Sequence, residues 1–250
     1  MTTDSKPGLP EVDVREHGGK KDGERQVMDR RLFMQLLVLD APPDRDPEEP
    51  IGALEKALAD ARIPSVVYED MDAPLGFALL TWSDEPAHFV KNVRPLFRSR
   101  ELRSLTLRPD FTMIGRTYAS GYEPNLEHWL LQRPVEHVLH PEWPWAIWYP
   151  LRRSGAFARL ERAEQAAILR EHAAIGMAYG QKDLAHDIRL ACHGLDARDN
   201  EFVIGLVGRE LHPLSHVVQT MRSTRQTSEY ITQMGPFFTG YARHRVGAAR

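Results

Sequence analysis

The sequence predicts an α+β fold made of two fused ferredoxin-like halves, of the dimeric α/β-barrel type, with antiparallel sheets forming a barrel-like core and helices outside. Three observations predict it. The order strand, helix, strand, strand, helix, strand occurs twice along the chain. The two copies share letters: FALLTWSDEPAHFVKNVRPLFRS, ending at Ser99, parallels FVIGLVGRELHPLSHVVQTMRS, ending at Ser223. Each is followed by a segment with an aromatic and a glycine, FTMIGR and FFTGYAR. An internal repeat of this kind speaks to architecture, and two such sheets joined edge to edge leave no open strand edge.

In order, LFMQLLVLD after Arg31 reads as a buried strand, and APPDRDPEEP as a turn-rich loop before the helix IGALEKALADA. Ile63 to Glu69 and Leu75 to Trp82 read as strands joined around DMDAP. DEPAHFVKNVRPLF reads as a helix starting at Asp84, and Leu102 to Tyr118 closes the half in extended segments. The second copy runs from the strand Ala146 to Leu151 through a long helix, Phe157 to Gly180. The strands Asp187 to Leu195 and Glu201 to Val207, the helix Leu211 to Arg222 and a last strand region, Ser228 to Tyr241, complete it. The expected organisation is a disordered tail over 1–30, an N-terminal half over 31–118, an aromatic-rich connection over 119–142 and a C-terminal half over 143–243.

At 250 residues, 42% hydrophobic and 27% charged, the chain is ordinary globular material. A formal net charge of -3 provides no general field for nucleic acid. The single cysteine, Cys192, excludes an intramolecular disulfide and a thiolate zinc site, and fits a reducing compartment. Neither a signal peptide nor a bilayer-spanning run is read, so a cytoplasmic protein is expected.

Chemistry centres on the long helix and its one histidine, His172. At 3.6 residues per turn, Ile168, Leu169, Ile175, Gly176 and Tyr179 share its face, and Arg159 and Arg170 lie roughly opposite, so His172 points inward. An inward histidine is either a satisfied core residue or a ligand. On the following strand, alternation places Asp187, Arg189, Ala191 and His193 on a polar face and Ile188, Leu190 and Cys192 on an apolar one. A flat apolar ligand such as haem fits between helix and sheet, with imidazole as its axial ligand and a cationic side chain stabilising negative charge on a bound oxidant. His137 and His140 have helical spacing that suits a metal, yet no carboxylate or cysteine set completes a site, and a surface loop is the competing reading. Tyr118, Tyr122, Trp129 and Trp143 either line a pocket mouth or pin the connection to the core.

These residues reach a family. YPLRR at Tyr149 to Arg153, EHAAIGMAYG at Glu171 to Gly180, HGLDARDNEF at His193 to Phe202 and MRSTRQTSEY at Met221 to Tyr230 occur in the order found in the chlorite dismutase-like superfamily. That superfamily includes chlorite dismutases and the coproheme decarboxylases of haem biosynthesis, and Trp145 to Tyr241 resembles it. LTWS and TMIGRTY extend the likeness into the first half.

The resemblance implies a haem-dependent oxidoreductase, with haem b or iron coproporphyrin bound in the second half. His172 would be the proximal iron ligand and Tyr149 the tyrosine whose radical attacks a propionate. Arg153 would stand in for a lysine, and Arg222 and Thr227 for propionate contacts. Phe157 occupies the place of a tryptophan near the haem. Arg225 stands near where a glutamate usually orients the imidazole, unless Gln226 or Glu229 substitutes. Arg189 is the choice for the distal residue, with Asp187 and His186 behind it. A distal arginine is the chlorite dismutase feature, whereas Tyr149 is the decarboxylase one. The expected reaction is peroxide-dependent oxidative decarboxylation of coproheme to haem b. Chlorite breakdown to chloride and dioxygen, a broader haem peroxidase role, and a haem-carrying or cofactor-free binding protein are the alternatives. Hydrogen peroxide or chlorite would be the small-molecule substrate, and a homo-oligomer, often a pentamer, the assembly.

Overall fold

The computed structural model describes residues 9–247. An N-terminal hairpin of β1 (Glu16–Lys21) and β2 (Glu24–Met28) precedes the two halves. The first half contains β3 (Phe33–Asp40), α1 (Glu48–Asp60), β4 (Ser65–Asp70), β5 (Gly76–Ser83), the short β6 (Thr106–Leu107) and β7 (Met113–Arg116). Between the halves lies α2 (Arg133–Leu139). The second half contains β8 (Trp145–Arg153), α3 (Gly155–Ala158), α4 (Arg162–Gln181), β9 (His186–Ala191), β10 (Phe202–Gly208), α5 (Leu211–Arg222), β11 (Ile231–Met234) and β12 (Phe238–Val246). All strands except β1 and β2 join one ten-stranded sheet, and every pairing is antiparallel. The sheet runs β10-β9-β7-β3-β5-β4-β12-β8, and β8 pairs again with β10, closing the ring that the repeat predicts.

Alternation sorts the side chains into layers. Leu36, Val66, Tyr68, Leu80, Trp148, Ile188 and Leu190 fill the inside of the ring. Outside it, Leu54, Leu58, Val67, Phe77 and Leu79 pack under α1. Ile147, Tyr149, Leu151, Leu206, Leu214 and Val217 form the corresponding layer of the second half. Gly205 faces Trp148 across the β10–β8 pair, and a Cβ there would sit 2.6 Å from the indole. A bare glycine is therefore what lets Trp148 lie inside while Tyr149, the next residue, points to the helix side.

Five expectations need correction. The tail expected over 1–30 is partly a hairpin: residues 1–8 lie outside the described residues, but β1 and β2 pair through the turn Asp22–Gly23. Both turn residues have positive φ, 53° and 89°, as a two-residue hairpin turn requires. Gln26 holds the hairpin to the connection, its amide donating to the Glu123 and Pro124 carbonyls and accepting from Leu126 N–H. The helix expected from Asp84 becomes a π-helical turn (Phe89–Val93) followed by a 3-10 turn (Arg94–Arg98), because Pro95 has no N–H to continue an α-helical ladder. The helix expected over Phe157 to Gly180 is broken between α3 and α4, around Arg159 to Glu161. Finally, the strand expected to run to Leu195 stops at Ala191, and the region from Ser228 is first a turn (Gln226–Tyr230). Among the described residues, no helix is long and apolar enough to cross a membrane.

Candidate functional site

Cross-strand register assembles the floor of the site. Arg189 on β9 faces Ile204 on β10, and Ile204 faces Tyr149 on β8, so the three form one row on the helix side of the sheet. Asp187, Leu206 and Ile147 form the row beside it, and Ala191, Phe202 and Leu151 the row on the other side. Ile204 sits at the centre of this lattice yet is only partly buried, so the helix layer does not close over it. The roof is α4, in which Ile168 is the one fully buried residue. His172, Ile175, Gly176 and Tyr179 do turn inward as the periodicity predicts, half-buried, whereas Leu169, expected with them, is 41% exposed. A helix packed this lightly leaves apolar surface on both roof and floor for a flat ligand to cover.

His172 has the properties of a residue that could hold a metal ion. Burial, reinforced by the positive charge of Arg189, lowers its pKa below the usual histidine value, so the imidazole is neutral at pH 7. Its Nδ1 lies 3.5 Å from Thr224 Oγ1. That hydroxyl spends its own proton on the Met221 carbonyl at 2.8 Å, so it meets the ring as an acceptor. The arrangement favours the proton on Nδ1 and leaves the Nε2 lone pair without a hydrogen bond among the described residues. The partner on Nδ1 is thus a neutral hydroxyl. Arg225 lies on the surface instead, paired with Glu164 and Glu229. Glu229 is committed to that pair, and Gln226 Oε1 is buried without a partner. A neutral acceptor gives the imidazole less anionic character than a carboxylate would.

Tyr149 is 6% exposed and stacked on Phe237 with ring centroids 4.6 Å apart. Burial raises its pKa, so the phenol keeps its hydrogen at neutral pH, and that hydroxyl makes no hydrogen bond among the described residues. Arg222, on the last turn of α5, is close enough for its charge to act on the phenol. Arg153 lies over the rings of Phe157 and Phe202, 4.5 and 4.7 Å from their centroids, and pairs with Glu201 at 3.4 Å. Phe157 is buried against Tyr230 and Ile168 in a small separate cluster. Thr227 Oγ1 stands 3.3 Å from Thr224 Oγ1, on the turn that carries the His172 partner.

Among the distal choices, His186 alternates away: its ring stacks on Trp143 at 3.6 Å and its Nε2 pairs with Asp183. Asp187 is committed to two guanidiniums, accepting a hydrogen bond from Arg133 at 2.6 Å and pairing by charge with Arg189 at 3.0 Å. Burial alone would raise its pKa, but the charges of Arg133 and Arg189 hold it at about 2. Arg189 therefore remains the cation beside His172. His193, expected on the same face, lies past the strand end and packs on Phe202.

The connection plugs a seam. β9 pairs with β7 only at Arg116↔Ala191, and the Asp187 carbonyl accepts from Arg133 and from His137 Nδ1 of the connection, at 3.0 and 3.2 Å. His137 and His140 are thus structural: His140 stacks on Trp143, and among the described residues no group of three or more His, Cys, Asp or Glu is placed to hold a metal ion. Of the aromatics in this region, Tyr118 packs on Phe202, Trp143 is buried and Tyr122 is 82% exposed.

Burial, together with the charges of Arg133 and His186, lowers the His137 pKa to about 3. In the unfolded chain it takes up a proton near pH 6.5, in the folded chain only near 3. Stability is therefore complete above pH 6.5 and is lost as pH falls toward 3, by roughly 1–2 kcal/mol after allowance for partial exposure. Urea midpoints of wild type and His137→Gln, compared at about pH 7 and about pH 4, should show a shallower acid loss in the variant; equal losses would contradict the assignment.

The donor set fits an iron porphyrin: one neutral imidazole whose free Nε2 would hold the metal, apolar side chains on helix and sheet, and the guanidiniums of Arg153 and Arg222 that would meet carboxylates. Two clefts, of about 310 Å³ between Leu107 and Asn200 and about 210 Å³ against Phe97 and Leu102, contain neither His172, Tyr149 nor Arg189.

Comparison with known proteins agrees with this fold. No curated protein matches the sequence. A structure described as a novel heme-binding protein from Thermus thermophilus is 19% identical, covers 85% of this chain and 91% of that one, and superposes with a TM-score of 0.64. Two mutant chlorite dismutases from Candidatus Nitrospira defluvii, each 13% identical, cover 86% of this chain and 93% and 92% of theirs, with TM-scores of 0.66 and 0.67. The sequence model described as Chlorite dismutase matches residues 63–243, most of both halves. The chain belongs to the chlorite dismutase family.

Proposed function

We propose that the protein binds ferric coprohaem between α4 and the sheet and converts it to haem b by peroxide-dependent oxidative decarboxylation. The observation that carries the choice of reaction is Tyr149: a buried, protonated phenol on the floor of the site, with the Arg222 charge beside it. The haem-binding description of the Thermus thermophilus relative supports the cofactor. When bound, the iron porphyrin supplies the oxidising capacity of peroxide. His172 Nε2 holds the metal from α4. Arg153, Arg222 and Thr227 hold propionate carboxylates, the arginines by charge-assisted hydrogen bonds. Tyr149 gives up an electron and its phenolic proton, then takes a hydrogen atom from the propionate β-carbon. Each propionate thereby loses two electrons, a proton and carbon dioxide and becomes a vinyl group, while one peroxide takes up those two electrons, that proton and one more from solvent to form two waters.

Arg189 favours a second reading, chlorite breakdown, because its cation lies near enough to act on His172 and could hold an oxyanion. The two separate in one experiment. The coprohaem complex is treated with peroxide, the haem b complex with chlorite, and products are measured for wild type and Arg189→Ala. The decarboxylase reading predicts vinyl products from coprohaem and little oxygen from chlorite. Rapid oxygen release that requires Arg189, with coprohaem unchanged, would replace it by the second. A homo-oligomeric, cytoplasmic enzyme is part of the same proposal.

A further inference from the structure

We propose that Trp129, on the helical turn His128–Gln132 of the connection, is a positioning residue for Arg189, acting together with Asp187. The inference rests on the haem-site reading above and deepens it. The Arg189 guanidinium carbon lies 5.0 Å from the Trp129 ring centroid, and that of Arg133 lies 4.4 Å from the same ring. Asp187 joins the two arginines, forming an ion pair with Arg189 Nε through one oxygen and accepting a hydrogen bond from Arg133 Nη2 on the other. Arg189 is thus held at its inner nitrogen by a carboxylate and over its carbon by an indole. Its terminal nitrogens make no hydrogen bond to protein among the described residues and remain available to an anion.

The two restraints do different work. A carboxylate on Nε fixes where the guanidinium sits, and an aromatic face limits how its plane turns. The connection is itself anchored: Glu123 accepts from the Ser120, Gly121 and Tyr122 amides, and Arg133 and His137 bond the Asp187 carbonyl. Trp129 therefore stands on a fixed platform and, with Arg133, carries the connection into the site. Removing the indole leaves Arg189 free to pivot about Asp187. A donor that must be re-ordered for each ligand binds an anion more weakly.

The test uses wild type, Trp129→Leu, Trp129→Phe, Arg189→Ala and the Trp129→Leu/Arg189→Ala double variant. Fluoride is titrated into each ferric haem complex and followed by absorption, and each apoprotein is unfolded in urea. Trp129→Leu is expected to weaken fluoride binding roughly 2- to 30-fold, the range of a cation–π contact. Trp129→Phe should retain most of the affinity, and Trp129→Leu should have no further effect once Arg189 is gone. The urea midpoints of the apoproteins should be non-additive for the pair. Equal fluoride losses from Trp129→Leu with and without Arg189, or no loss at all, would overturn the proposal. If none of the proteins takes up porphyrin, the haem reading fails, while the urea cycle still decides the contact: additive midpoints refute it and non-additive ones support it.

Discussion

Replacing His172 by alanine is expected to abolish saturable binding of ferric porphyrin, weakening it at least about 100-fold, or about 2.7 kcal/mol. Three features make the effect large. His172 is the histidine on the inward face of α4, its Nε2 carries no other hydrogen bond among the described residues, and burial keeps it neutral. The structural cost is small, because its one hydrogen bond to protein is the 3.5 Å contact with Thr224 and alanine is the best helix former. The apoprotein should therefore unfold within about 1 kcal/mol of wild type. A titration that shows unchanged binding in this variant would place the iron elsewhere.

Replacing Tyr149 by phenylalanine is expected to leave porphyrin binding within about threefold of wild type, about 0.7 kcal/mol, and to lower the rate of the proposed coprohaem decarboxylation at least about 1000-fold, about 4 kcal/mol in the barrier. Phenylalanine keeps the ring that stacks on Phe237 and fills the layer under α5. Only the hydroxyl is lost, and it makes no hydrogen bond among the described residues. The variant thus separates chemistry from binding: product masses and Soret titrations on the same sample read each. Vinyl products at the wild-type rate would exclude Tyr149 as the group that attacks the propionate.

Much of the fold can be read from spacing alone. The helix Leu211 to Arg222 has the predicted bounds, and the inward turn of Ile188, Leu190 and Cys192 follows from alternation. These succeed because burial on one side of a strand or helix imposes a period on the letters. The N-terminal hairpin escapes such a reading for the converse reason. Its strands, EHGGKK and ERQVM, carry no sustained apolar face, and the one available signal is Asp22–Gly23, a dipeptide suited to positive φ. Leu169 belongs to the helix period but lies exposed, because α4 touches the layer below along a narrow stripe.

Within the site, the row Arg189–Ile204–Tyr149 depends on strand register across β8, β9 and β10, which no short-range pattern encodes. The partner of His172 lies one residue before the position that the resemblance implies: Arg225 points to Glu164 and Glu229, and Thr224 turns inward because its hydroxyl caps the Met221 carbonyl. Trp129 is legible as an aromatic of the connection, but its contact with Arg189 joins segments far apart in the chain and exists only in the folded molecule.

The most direct test is stepwise addition of hydrogen peroxide to the one-to-one complex of wild-type protein with ferric coprohaem, followed by the mass and absorption of the porphyrin. The account predicts successive loss of carbon dioxide from two propionates, ending at haem b. A porphyrin that keeps all its propionates, or that bleaches without a vinyl product, would contradict it.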